Sequence, residues 1–285
     1  MKIEKIDKKS DLYPYKLRNI KNSPAILYTL GDISLLSSKS IAVVGARNCT
    51  NYGAYVAKLI GERLAELNIT SVSGMAKGID SYSHKGTLSK GGKTIAVLGC
   101  GLEHCYPAEN KELMAQISKE GLIISEYKPD FTGAKYSFPQ RNRLISGISE
   151  SVVIVEAEYK SGSLITAGYG AEQGKNVYAV PGNINRESSV GANMLIRDGA
   201  TPLIVIDDLA RDIGITPKIK PELINNLGND EMLVIEAIMS KNEADIDYIS
   251  HKTNINKSKA SGILTILMVK GLVFSLGSKF FIANC

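Results

Sequence analysis

The chain has 285 residues, 44% hydrophobic and 22% charged, with a formal net charge of +5. That is the balance of a globular protein with length for one large domain and a small one, and it permits a polyanionic partner without demanding one. No apolar run approaches the roughly 18–20 residues of a membrane span, and MKIEKIDKKS lacks the apolar stretch of a secretory signal, so the expectation is a soluble cytoplasmic protein. Four cysteines without a CxxC pair argue against a disulfide scaffold or zinc ribbon. Cys100, His104 and Cys105 fall close together at a spacing that fits no standard metal pattern, so ordinary buried or loop thiols are expected and no metal.

Residues 1–40, punctuated by Pro14 and Pro24, show no sustained periodicity and read as a short N-terminal extension, irregular apart from one helical turn near Ile33 to Leu36. From residue 41 the pattern changes. Apolar runs at 41–46, 69–74, 93–99, 122–127, 151–158, 176–182 and 201–206 alternate with stretches of helical period. In NYGAYVAKLIGERLAELN, Val56, Ile60, Leu64 and Leu67 share one helical face. The pattern predicts an α/β domain over 41–215, an extended Rossmann-like, doubly wound and mostly parallel sheet with helices on both faces.

TPKIKP marks a linker over 216–224. Residues 225–285 then read as three helices and a hairpin around Gly277 and Ser278, the order of a small winged-helix domain. Such a domain usually reads DNA through its third helix. Here it carries six lysines, six acids and no arginine, which leaves DNA contact and protein contact equally open.

A doubly wound sheet places its ligand site where strand C-termini meet helix N-termini. GARNCTNYG, after the first run of the domain, offers Arg47, backbone N–H groups and a Thr50 or Asn51 cap to a phosphate. SVSGMAKGID places Lys77 in the next loop, and SGSLITAG brings Ser161, Gly162, Ser163 and Thr166 to a helix start. FPQRNRLISGISE sets Phe138, Arg141 and Arg143 on a short helix beside the same rim. Cations with an aromatic face are how single-stranded nucleic acid is held without sequence readout. The competing reading makes Arg141 or Arg143 a buried ion-pair partner of Glu126 or Glu156. Glu156 and Glu158, two apart, are expected to face one side of their strand.

Neither GARNCT nor GCGLEH completes the dinucleotide fingerprint, and GxxxxGK[ST] does not occur, so no nucleotide cofactor is expected. Three histidines show no Ser-His-Asp order and no catalytic residue is assigned.

In this order and spacing, VVGARNCTNYG, SGMAKGIDSYSHKG, LGCGLEHCYPAEN, SEYKPD, FPQRNRLISGIS, VVIVEAEYKSGSLITAGYGAEQGKNVYAVPG and GANMLIRDGA resemble the DprA/Smf family of DNA-processing proteins over about residues 12–206. The resemblance implies a non-enzymatic protein that binds single-stranded DNA and, in natural transformation, loads the recombinase RecA, acting as a homodimer. It places the family's contacts on Arg47, Lys135, Phe138, Arg141, Arg143 and the Ser161 to Leu164 loop. Three departures stand out: Ala108 follows Tyr106-Pro107 where many members carry lysine, Glu103 replaces an aspartate, and the preceding helical domain is reduced to about 40 residues. Two rival functions remain. One is a phosphoribohydrolase-type enzyme using Glu156 as acid or base, and the other is a nucleotide sensor that binds duplex DNA.

Overall fold

A computed structural model describes residues 2–215, 227–241 and 243–282. Contacts divide the chain into two compact units, Met1–Ile215 and Thr216–Cys285. The expected linker over 216–224 lies outside the described residues.

The large unit is built on a nine-stranded sheet. Its strands are β1 (Glu4–Asp7), β2 (Ile26–Gly31), β3 (Ser40–Val44), β4 (Thr70–Ser73), β5 (Thr94–Leu98), β6 (Leu122–Ser125), β7 (Ser151–Ile154), β8 (Asn176–Ala179) and β9 (Thr201–Pro202), in the spatial order β1-β2-β6-β5-β4-β3-β7-β8-β9. From β6 to β9 every pairing is parallel, and each of the seven apolar runs read from the sequence contains a strand, the last only over Thr201–Pro202. Residues 1–40 are not an irregular extension. The 3-10 turn over Ile33–Ser37 is present, but β1 and β2 add antiparallel strands to the β6 edge. A short helix, α1 (Tyr15–Arg18), lies between them and buries Leu17.

Alternation along β3 shows why both faces are covered. Ile41 and Val43 pack with Ala57, Ile60 and Leu64 of α2 (Asn51–Glu66), whereas Ala42 and Val44 pack with Leu144, Ile145 and Ile148 from the opposite face. Each fully buried Leu or Ile contributes roughly 1.5–3 kcal/mol, so this layer holds the strand-end loops firmly. The remaining helices are α3 (Ile79–Ser89), α4 (Lys111–Glu120), α5 (Ser137–Ile148), α6 (Ser163–Glu172), α7 (Glu187–Arg197) and α8 (Asp208–Asp212). The chain steps outward from β3 through β4 to β5 and β6, then returns to place β7 on the other side of β3. The crevice above β3 and β7 is therefore the topological switch point.

The small unit has helices at Asn229–Lys241, Ile246–Thr253 and Lys257–Val269 and a three-stranded antiparallel sheet of β10 (Ala244–Asp245), β12 (Lys279–Ile282) and β11 (Val273–Leu276). Gly277, at φ 61°, turns the hairpin expected there. The unit has its own apolar core around Val234, Ile238, Ile249, Leu264 and Leu267.

Candidate nucleic-acid interface

The β3–α2 loop is fixed from two sides before any ligand arrives. Thr50 caps α2, its hydroxyl oxygen accepting from Gly53 N at 3.1 Å. Glu156, beyond the end of β7, accepts from Thr50 N at 2.9 Å and from Thr50 Oγ1 at 2.5 Å, while its backbone carbonyl accepts from Ala46 N at 2.8 Å. The adjoining β4–α3 loop closes against it. Gly78, at φ +78°, would place a Cβ 2.4 Å from the carbonyl oxygens of Ala46 and Arg47, so only glycine allows this crossing. Asp80 gathers the same loop by accepting from Gly74 N at 3.0 Å and Ala76 N at 3.3 Å. Burial pushes the Asp80 carboxyl above its ordinary value, opposed by the nearby Arg141 cation.

Above these loops lies a cavity of about 310 Å³ at the switch point. It is lined by Arg47 and Asn48 from the β3 loop, Phe138, Arg141 and Asn142 from α5, and Ser161, Gly162, Ser163 and Thr166 at the start of α6. Seven residues singled out in the sequence thus meet in one crevice. Arg47 is exposed and makes no ion pair among the described residues. Phe138 packs against Tyr106 with ring centroids 4.9 Å apart, so the aromatic face is a tilted pair. Tyr106 was missed by sequence reasoning, although the Tyr-Pro of the third loop was the available signal. Ser161 and Ser163 join their hydroxyls at 2.8 Å, and Asn142 donates to Gly162 O at 3.2 Å.

The two arginines of α5 divide. Arg141 is buried and donates through Nη1 to Gly74 O at 2.7 Å and to Val97 O, and through Nε to Asn142 at 3.2 Å. Its Nη2 has no protein partner among the described residues, and the side chain lines the cavity. Burial lowers its pKa to about 10, which keeps it charged at neutral pH. Arg143 is different. It forms a two-pronged ion pair with Glu126, both contacts 2.6 Å, and gives its other N–H groups to the carbonyls of Asn22 and Gln140. All five donors of its guanidinium are used, and it does not line the cavity. The expectation that Arg143 grips a phosphate is therefore corrected, and the ion-pair reading holds for it.

Lys77 and Lys135 lie outside the cavity lining. Lys77 faces Glu109 at 3.5 Å with both side chains more than half exposed, a pairing too solvated to hold it strongly. Lys135 is exposed in the turn before α5. Glu156 and Glu158 do not share a side. Both lie beyond Ile154, where the pleat ends, and Glu158 lines the cavity while Glu156 lines a second one. The carboxylate of Glu156 is committed to Thr50 and so serves the loop rather than standing free as an acid or base. Cys100, His104 and Cys105 each turn to a different backbone carbonyl.

Fold and site together define a Rossmann-like, doubly wound protein with an anion-receptive crevice at its switch point. The family model described as DNA recombination-mediator protein A matches residues 4–214, and the chain belongs to that family. It is 40% identical over 205 residues to the DNA processing protein DprA of Bacillus subtilis, covering 72% of this chain and 69% of that one. It is 43% identical over 190 residues to the Streptococcus pneumoniae DprA, covering 67% of each. The solved structure of the pneumococcal DprA superposes with a TM-score of 0.71 at 39% identity, over 74% of this chain and 75% of that one. A Helicobacter pylori DprA, solved to describe its single-stranded DNA binding mode, superposes at 0.68 with 31% identity, over 75% of this chain and 96% of that one.

Proposed function

We propose that this protein binds single-stranded DNA along the strand-end rim, without base-specific readout, as a recombination mediator. The supporting observation is the crevice itself, where an unpaired Arg47, the free Nη2 of Arg141, an aromatic pair and a hydroxyl-lined helix start converge. Cations that grip phosphate and rings that stack on any base make such a surface tolerant of sequence. Lys77 and Lys135 extend the positive rim from outside. The finer parts of the same proposal are action as a cytoplasmic homodimer and delivery of strands to RecA. Pairing two rims on one strand would raise avidity through effective concentration.

Gly162 adds an independent argument. Its backbone is ordinary helix, φ −62° and ψ −18°, and nothing lies within 4 Å of where a Cβ would sit. Neither conformation nor packing calls for glycine, and the bare position leaves room for a ligand to approach the backbone closely.

The test is fluorescence anisotropy of an unstructured labelled oligonucleotide and its duplex over a salt series. Wild type should prefer the single strand. Arg47→Ala should weaken it and flatten the log affinity against log salt slope by about 0.7, the value for one phosphate contact on a single strand. Gly162→Ala should weaken binding while leaving the unfolding transition in place. An unchanged salt slope in Arg47→Ala would reject the phosphate contact.

The small unit has the element order of a winged helix, and we read it as one that meets protein rather than duplex. Lys257 and Lys259, which open its third helix, face Asp247 at 2.5 Å and Asp230 at 2.6 Å in solvent-exposed pairs that hold them weakly, so the support is the acids standing beside these cations rather than the strength of the pairs.

A further inference from the structure

A second cavity, of about 690 Å³, opens on the same strand-end rim on the far side of the β3–α2 loop. Arg47 and Asn48 line the first cavity and Thr50, Asn51 and Tyr52 line the second, so one short piece of chain is the wall between them. Three residues span at most about 11 Å, which makes the two cavities neighbours along any chain-like ligand. Both volumes fall in the roughly 300–1,000 Å³ range of small-ligand sites.

The chemistry of the second cavity is two-ended. At the rim stand Arg186, exposed and without an ion pair among the described residues, and the Tyr52 ring, 55% exposed. Inside stand the Glu156 carboxylate and the Ser189 hydroxyl, in residues only 4% and 7% exposed. Ser189 Oγ has no hydrogen-bond partner among the described residues and lines the cavity, so its hydroxyl is available to a ligand that enters. A simple anion drawn to Arg186 would meet Glu156 behind it. A ligand with a phosphate at one end and a flat, hydrogen-bonding ring at the other meets both requirements: phosphate on Arg186, ring against Tyr52, base edge toward the amides of Asn51 and Asn183 and the Ser189 hydroxyl.

We infer that this cavity is a second nucleotide subsite, taking the stretch of single strand that continues beyond the Arg47 crevice. The inference rests on the single-strand reading of the first cavity. The binding surface then runs around both sides of the β3–α2 loop, with Arg47 and Arg186 as its two phosphate clamps.

The test uses the full chain and labelled oligothymidylates of three and twelve nucleotides over a salt series. Arg186→Ala should weaken the twelve-mer by about tenfold and flatten its salt slope by about 0.7, with the trinucleotide, seated at the Arg47 crevice, unaffected. Tyr52→Ala should likewise cost about tenfold on the twelve-mer alone. Arg186→Lys, which keeps the charge, should retain the slope. Both side chains are exposed, so the variants should unfold as wild type does. Unchanged twelve-mer affinity and slope in Arg186→Ala, alongside a loss in Arg47→Ala, would overturn the second subsite and leave the first standing. An equal loss on trinucleotide and twelve-mer would overturn it too, by marking an indirect effect. Failure of wild type to bind either oligonucleotide would remove both readings together.

Discussion

His84 of α3 is fully buried, its Nδ1 2.6 Å from Thr94 Oγ1 and its Nε2 without a hydrogen-bond partner among the described residues. Around it the hydroxyls of Ser71, Thr87 and Thr94 form a closed set of hydrogen bonds. Burial, with the Arg141 cation nearby, lowers its pKa from 6.5 to about 3. The unfolded chain therefore takes a proton on His84 below pH 6.5 that the folded chain refuses until about pH 3. Stability must fall with acidification through that window, by as much as about 1.4 kcal/mol per pH unit from this group. His84→Gln should be less stable at pH 8 yet lose less per unit on acidification, measured by urea denaturation between pH 8 and 4. Identical slopes would mean that His84 accepts its proton in the folded state. At this scale the sequence was legible where chemistry and loop position coincide, as at Arg47 and Ser161. It was silent where a partner comes from elsewhere in the chain. Arg141 and Arg143 look equivalent by spacing, and only the approach of Glu126 and Asn22 to one of them separates a buried brace from a cavity wall.

The element that decides the site is the β3–α2 loop, because it carries Arg47 and divides the two cavities. Thr50 is its hinge pin: the hydroxyl that caps α2 also donates to Glu156. Thr50→Ala removes both bonds and leaves a buried carboxylate with one donor fewer. The expected loss is about 1–2 kcal/mol of stability, with weaker single-strand binding as Arg47 loses its fixed position, and Thr50→Ser should restore both. Urea denaturation and anisotropy on the same samples would check this, and a variant that binds as wild type would show that the loop needs no clamp. Elements were unevenly legible for a related reason. Runs such as SIAVV are buried on both faces and announce themselves by composition. β1 and β2 have mixed burial, sit among prolines and turns, and become strands because the open edge of β6 accepts them. A tertiary partner supplied what local periodicity did not.

Among the described residues, the large and small units each have apolar cores of their own. The sheet unit contains every residue of both cavities, while the small unit brings a neutral, ion-paired surface. On the proposed reading the two tasks are physically separable, with strand binding assigned to residues up to Ile215 and partner contact to the rest. Scanning calorimetry should resolve two transitions, since each unit buries its own core and can unfold without exposing the other's. A chain ended after Ile215 should keep the larger transition, the single-strand affinity and the salt slope of the full protein. If the shortened chain folds but binds with a flatter slope, phosphate contacts reside in the small unit, and Lys257 and Lys259 exchange their acidic partners for DNA. If slope and affinity are unchanged, the ion pairs that neutralise the third helix persist in the complex, and the small unit's role lies in meeting another protein.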